Sequence, residues 1–212
     1  MKQQEAMQRM QEIQRIMERT TLYTLLPGKE AVIGRVLALL GCAASYGLIR
    51  SVDFGVLLDS PYRVQILFCV MWAVVGVSAI AQDVILLALA ARRQGVSPAS
   101  RPSLITAYAL SPSVVVAAII TLKILMDVGG VESTGQNVRY IAPIWMMCYG
   151  TGVFAAGLFS VRLPRLLGLA FIVTGAAGML FFEKFGLILV ALSFGLMHIV
   201  FGLEVIRRAR RP

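Results

Sequence analysis

Phe194-Gly195-Leu196-Met197-His198-Ile199-Val200-Phe201-Gly202 lies inside an apolar run over residues 186–206. A bilayer core about 30 Å thick needs about 20 helical residues at about 1.5 Å rise each, and this run supplies them. Hydrocarbon offers the backbone no hydrogen-bond partner, so a crossing segment of this kind is a helix. On that helix Ala191, Gly195, His198 and Gly202 share one face by the i, i+4, i+7, i+11 rule. Small side chains let a neighbouring backbone approach, so Gly195 and Gly202 are expected at a helix–helix contact. His198 is the only histidine of the chain, and its polar ring needs a partner at that depth. Two readings of it stand: a packing histidine satisfied by another helix, and a ligand, proton or cofactor site.

The rest of the chain has the same character. Of its 212 residues 58% are hydrophobic and 15% charged, against about 25% charged in soluble domains. This excludes an ordinary soluble enzyme domain and predicts an all-α polytopic membrane helix bundle. Cys42, Cys69 and Cys148 all stand in apolar runs and read as small hydrophobes rather than disulfide or metal ligands. No Cys-x-x-Cys pair is present, and one histidine builds no zinc site alone.

Residues 2–19 are polar, with Ala6, Met10, Ile13 and Met17 forming one narrow apolar stripe flanked by Glu5–Arg9 and Gln11–Arg15. The stripe predicts a short cytoplasmic amphipathic helix that lies on the membrane, docks on the chain's own cytoplasmic loops, or pairs with another chain. Pro27-Gly28 then turns the chain into the bilayer. Residues 1–28 are thus a cytoplasmic helix with an interfacial turn, 29–206 the transmembrane domain, and 207–212 a basic tail. Six spans are expected, over about 31–49, 64–91, 104–126, 140–160, 166–182 and 186–206. Residues 95–103 read as a linker, and Arg162, Pro164 and Arg165 as a tight turn. Pro112 should kink the third span. In the fourth, Gly152 and Ala156 are expected to pack helices; in the fifth, Thr174 and Gly178 form a small pair.

Charge placement sets the orientation. Lys2, Arg9, Arg15, Arg19, Lys29, Arg92, Arg93, Arg101, Arg162, Arg165, Arg207, Arg208, Arg210 and Arg211 fall on one side, fourteen in all. Arg50, Arg63, Arg139 and Lys184, four in all, fall on the other. The positive-inside rule then puts both termini in the cytoplasm, of a bacterial inner membrane. The net charge of +9 needs no nucleic acid; the terminal arginines read as an anchor to anionic lipid.

Ionisable residues within spans are the functional candidates. Arg35 enters about 9 Å beyond Lys29, while Asp83 and His198 each lie about 13 Å from the basic residues that close their helices. With Tyr108 at a similar depth, these four are expected in one polar layer. Arg35–Asp83 locking two helices is one reading; Asp83 with His198 as a proton or cation site is the other. No Gly-x-Ser-x-Gly, His-Glu-x-x-His or phosphate-binding glycine loop appears. No catalytic residue and no cofactor are expected.

Three stretches carry a resemblance. They are Ile16-Met17-Glu18-Arg19-Thr20-Thr21 with Pro27-Gly28, Gly34 and Gly41; Ala142-Pro143-Ile144-Trp145 with Tyr149-Gly150, Ala155-Ala156-Gly157 and Arg165-Leu166-Leu167-Gly168; and Phe194-Gly195 with His198-Ile199 and Gly202. In these the chain resembles a family of small, uncharacterised bacterial six-span integral membrane proteins. The resemblance implies six spans after a cytoplasmic helix and no settled activity. It also carries an association with small winged-helix regulators. The functional expectation is a non-enzymatic regulatory or scaffolding component of a membrane complex, in contact with lipid and with a protein partner or further copies of itself. The alternatives are a small-solute or proton-coupled permease using Asp83 and His198, and an accessory subunit holding a cofactor at His198.

Overall fold

The computed structural model describes Met7, Arg9 and residues 28–93, 101–126, 137–158 and 162–209. The stripe over residues 2–19, the loop over 127–136, Arg210 and Arg211 lie outside them. Among the described residues the chain is all-helical. Five helices are α1 (Gly28–Ile49), α2 (Tyr62–Arg93), α3 (Arg101–Met126), α4 (Ile141–Leu158) and α5 (Arg162–Phe181). The last, α6 (186–209), joins an α-helix Gly186–Val190, a π-helix Ala191–Met197 and an α-helix His198–Ala209. Short 3-10 turns Phe54–Leu57, Asn137–Tyr140 and Glu183–Phe185 connect them at one end.

Five stretches are long and apolar enough to cross a membrane: Tyr62–Gln82, Thr106–Met126, Asn137–Leu158, Arg162–Phe181 and Glu183–Arg208. The apolar part of α1, Arg35–Ile49, is shorter. Two expected turns are corrected. Arg101 and Pro102 open α3, and Arg162, Pro164 and Arg165 form the first turn of α5. A proline in a first turn replaces an amide that has no intrahelical partner, so it starts a helix instead of breaking one. Pro112 lies inside α3 without ending it.

α6 runs through the middle, against α1 on one side and α4 and α5 on the other; α2 packs on α1, and α3 on α4. α4 and α5 meet backbone to backbone. A Cβ on Gly168 would stand 2.5 Å from the Phe154 nitrogen and 2.7 Å from the Gly150 oxygen, so only glycine permits that approach. Gly152 serves the opposite face of α4, where a Cβ would meet Leu110 and Ser113 of α3 at 3.1–3.2 Å. Ala156 and Gly202 are buried, and Gly195 is pressed on Leu39 of α1.

Hydroxyls and indoles stitch the outer helices on. Trp72 of α2 donates its Nε1–H to Ser45 of α1 at 2.9 Å, and Trp145 of α4 donates to Thr121 of α3 at 2.8 Å. Near the connecting turns, Cys42, Ile49, Phe54, Leu57, Phe68, Val138, Ala142, Leu187 and Val190 form one buried cluster. A second, of Met146, Val153, Leu167, Phe171 and Leu189, fills the space between α4, α5 and α6.

Candidate functional site

The π segment of α6 shapes the polar centre of the bundle. In an α-helix each N–H bonds the carbonyl four residues back; a π turn admits one more residue and widens the ring. Ser193 continues the inward stripe of Leu189 and Val190, four and three residues back. It is fully buried, and Gly195 is buried as well. Its hydroxyl donates to the Leu189 carbonyl at 2.7 Å, with the Val190 carbonyl at 3.4 Å, the back-bond by which a serine satisfies its buried hydroxyl on a helix.

His198 closes the π segment. Its backbone N–H bonds the Gly195 carbonyl, while its Nδ1 lies 3.1 Å from the Ser193 carbonyl. That carbonyl is five residues back, the acceptor that a continued π register would assign to the His198 backbone. The side chain thus takes over where the backbone leaves off. Nδ1 faces an acceptor and carries the proton, which leaves Nε2 to accept from the Tyr149 hydroxyl of α4 at 3.0 Å. A neutral ring satisfies every bond.

Three aromatic rings enclose the imidazole. Phe171 of α5, fully buried, meets it edge-on with centroids 5.0 Å apart; Tyr149 stands at 5.4 Å and Phe194 stacks at 6.2 Å. Tyr149, Phe171 and Phe194 also contact one another at 5.1–5.3 Å, Phe171 and Phe194 edge-to-face and the two Tyr149 pairs tilted. His198 is 2% exposed at the centre of this box. Arg35 of α1 is the charged side chain that acts electrostatically on it.

Of the four residues expected at one depth, Tyr108 is 73% exposed and faces away from the bundle interior. The inward stripe of α3 runs through Leu110, Ser113, Ala117 and Thr121, which meet α4 or are buried. Tyr108 precedes Leu110 by two residues and so points about 200° away. The side chain of Asp83 lies outside the described residues, and with it the pairs Arg35–Asp83 and Asp83–His198. Sequence reasoning missed Tyr149 as the partner and Ser193 as the intrahelical acceptor. The signal on that helix was its run of glycines, which announced close packing of α4 on α5 and α3.

A second polar assembly ties the connecting turns together. Asp53 caps the turn Phe54–Leu57 by accepting from the Gly55 amide at 2.7 Å and takes both Nε and Nη2 of Arg139 at 2.8–3.0 Å. The guanidinium of Arg139 needs Gly55, where a Cβ would stand 2.7 Å from its Nε. Partial burial pushes the Asp53 carboxyl up. The bonds from Arg139 and Gly55 and the charges of Arg139 and Lys184 outweigh this and hold it below its ordinary 3.8. Asp53, Arg139 and Lys184, drawn from three connections, thus share one end.

Among the described residues no group of three or more His, Cys, Asp or Glu side chains could hold a metal ion. Comparison with protein-family models, curated proteins and solved structures finds no match to this chain.

Proposed function

We propose that the chain is a six-span protein of a bacterial inner membrane, both termini cytoplasmic, that works without catalysis as a regulatory or scaffolding component of a membrane complex. One observation carries the non-enzymatic part. Each nitrogen of the only imidazole already has a partner from the chain itself, at 3.0 and 3.1 Å. Binding a metal or haem iron at Nε2 would break the Tyr149 bond, and carrying a proton there would force the tyrosine to turn from donor to acceptor. The geometry therefore favours a packing centre over the cofactor and permease readings.

The first crossing is supported by α1, whose 22 residues at about 1.5 Å each give about 33 Å, with the apolar part Arg35–Ile49 making about 22 Å of it. The orientation is supported by the shared end of Asp53, Arg139 and Lys184, away from the basic ends of α5 and α6. The scaffolding part rests on α2 and α3. Only 6% of each crossing stretch is buried, against 39%, 28% and 44% for the other three. Each attaches along one narrow stripe and leaves broad faces for lipid and for a partner chain or a second copy.

The test is purification in mild detergent, with intact-mass analysis of companions and an absorbance spectrum. A defined protein companion or a stable oligomer is the expected result. A lone chain that drives solute or proton uptake in vesicles overturns it in favour of a permease, and a bound chromophore in favour of a cofactor subunit.

A further inference from the structure

We infer that His198, held by Tyr149, is a register lock for α6, and that it stores one extra residue in the π segment so as to aim the last turns of the helix. This deepens the regulatory reading just given, on which its biological use rests; it names the device by which the membrane core would set the cytoplasmic end.

A seven-residue π stretch flanked by α-helix is one residue inserted into an α-helix. Beyond it, every residue sits about 100° and 1.5 Å short of where an unbroken α-helix would put it. The consequence is readable in the last turns. With the lock closed, Gly202 and Val205 face inward, Val205 at 3% exposure, and Glu204 faces out to take Arg207 and Arg208 at 2.7–2.8 Å. In an unbroken α register Glu204 would move into the place of Val205, Val205 into that of Ile206, and Phe201 into that of Gly202.

Two bonds oppose that slide. His198 Nδ1 engages the Ser193 carbonyl, five residues back within α6, and Tyr149 holds His198 from α4 and so ties the register to the bundle. The pressure of Leu39 on Gly195 fixes the same segment from α1. The chain Tyr149–His198–Ser193 is thus the link between helix packing at the core and the azimuth of the Glu204, Arg207 and Arg208 group.

The experiment measures register, independently of any partner, so its failure is distinct from failure of the scaffolding reading. Single cysteines replace Glu204 or Val205, and their modification by N-ethylmaleimide in native vesicles is read peptide by peptide by mass spectrometry, which separates them from Cys42, Cys69 and Cys148. In the parent chain position 205 is protected and 204 reacts. His198→Ala should raise the rate at 205 roughly tenfold, as loss of a buried hydrogen bond shifts such an equilibrium, and lower it at 204. Deleting Leu196, which is 52% exposed, removes the stored residue. Combined with His198→Ala, that deletion should restore protection at 205. Rescue of a substitution by a deletion is a signature that loss of packing alone does not produce. The inference is overturned if His198→Ala leaves both rates unchanged. It is equally overturned if both rise together and the deletion fails to restore them, which is local unfolding.

Discussion

Tyr149→Phe removes one oxygen and leaves the ring that contacts Phe171, Phe194 and His198, which makes it a clean probe of the central hydrogen bond. The lost bond spans α4 and α6 at 3.0 Å. Hydrogen bonds between membrane helices average about 0.6 kcal/mol and reach about 1.7. Here the Nε2 of His198, a residue 2% exposed among three rings, is also left without its donor, which adds to the loss; buried acceptors so stranded cost about 1–3 kcal/mol. The single change should therefore destabilise by about 1–2 kcal/mol, roughly a five- to thirty-fold fall in the folding equilibrium. The assay is unfolding by SDS in mixed micelles, followed by the fluorescence of Trp72 and Trp145. A double-mutant cycle with His198→Leu isolates the pair. The coupling should lie near 0.6–1.7 kcal/mol. Additive effects, equal within about 0.3–0.5 kcal/mol, would refute the bond as the link between the two helices.

Gly168→Ala should be severe, since its methyl would stand 2.5 Å from the Phe154 nitrogen; overpacking of this kind costs about 1–3 kcal/mol or more. Gly76→Ala, with nothing within 4 Å of the new methyl, should leave the SDS midpoint unchanged or slightly raised. Asp53→Asn should weaken the clamp on Arg139 by about 1 kcal/mol, the upper end for exposed pairs, since both side chains are largely covered. Because the folded carboxyl sits below 3.8, the clamp is fully present above the unfolded value and is lost as pH falls through the folded one. The parent chain should therefore lose stability below about pH 4, whereas in Asp53→Asn this part of the acid loss should be missing from thermal-unfolding midpoints across pH. Reporter fusions after Arg211 and within residues 127–136 should report opposite sides of the membrane; a C-terminal reporter active outside the cytoplasm contradicts the orientation.

Much of this was legible in one dimension. Hydropathy alone implies membrane helices, because hydrocarbon allows no other open backbone, and five of the expected six spans have helices long and apolar enough to cross. Glycines announce close contacts because small residues are the means by which membrane helices approach, so burial at Gly195, Gly202, Gly152 and Ala156 follows from their residue type. The single histidine announces a polar centre because its ring cannot be left unpaired in lipid. Helix starts at Arg101 and Arg162 were misread because proline has opposite meanings at the first turn and in the interior, and spacing alone does not say which applies.

What only the tertiary structure decided is azimuth. Depth in the membrane can be counted from the charged ends at a fixed rise per residue, which is why Tyr108 and His198 could be placed at one level. The direction in which a side chain points depends on which stripe of its helix meets a neighbour, and that contact is made between residues far apart in sequence. Tyr108 points outward because Leu110, Ser113, Ala117 and Thr121 are the stripe that α4 accepts. Tyr149 meets His198 across 49 positions because α6 packs on α4 in the folded bundle. The π turn lies further still from the pattern, since any helical wheel presumes the 3.6-residue period that Ala191–Met197 abandons. Its stability comes from the His198 Nδ1 bond to the Ser193 carbonyl within α6 and from Tyr149 and the ring box around His198, and that enclosure exists only once three helices have come together.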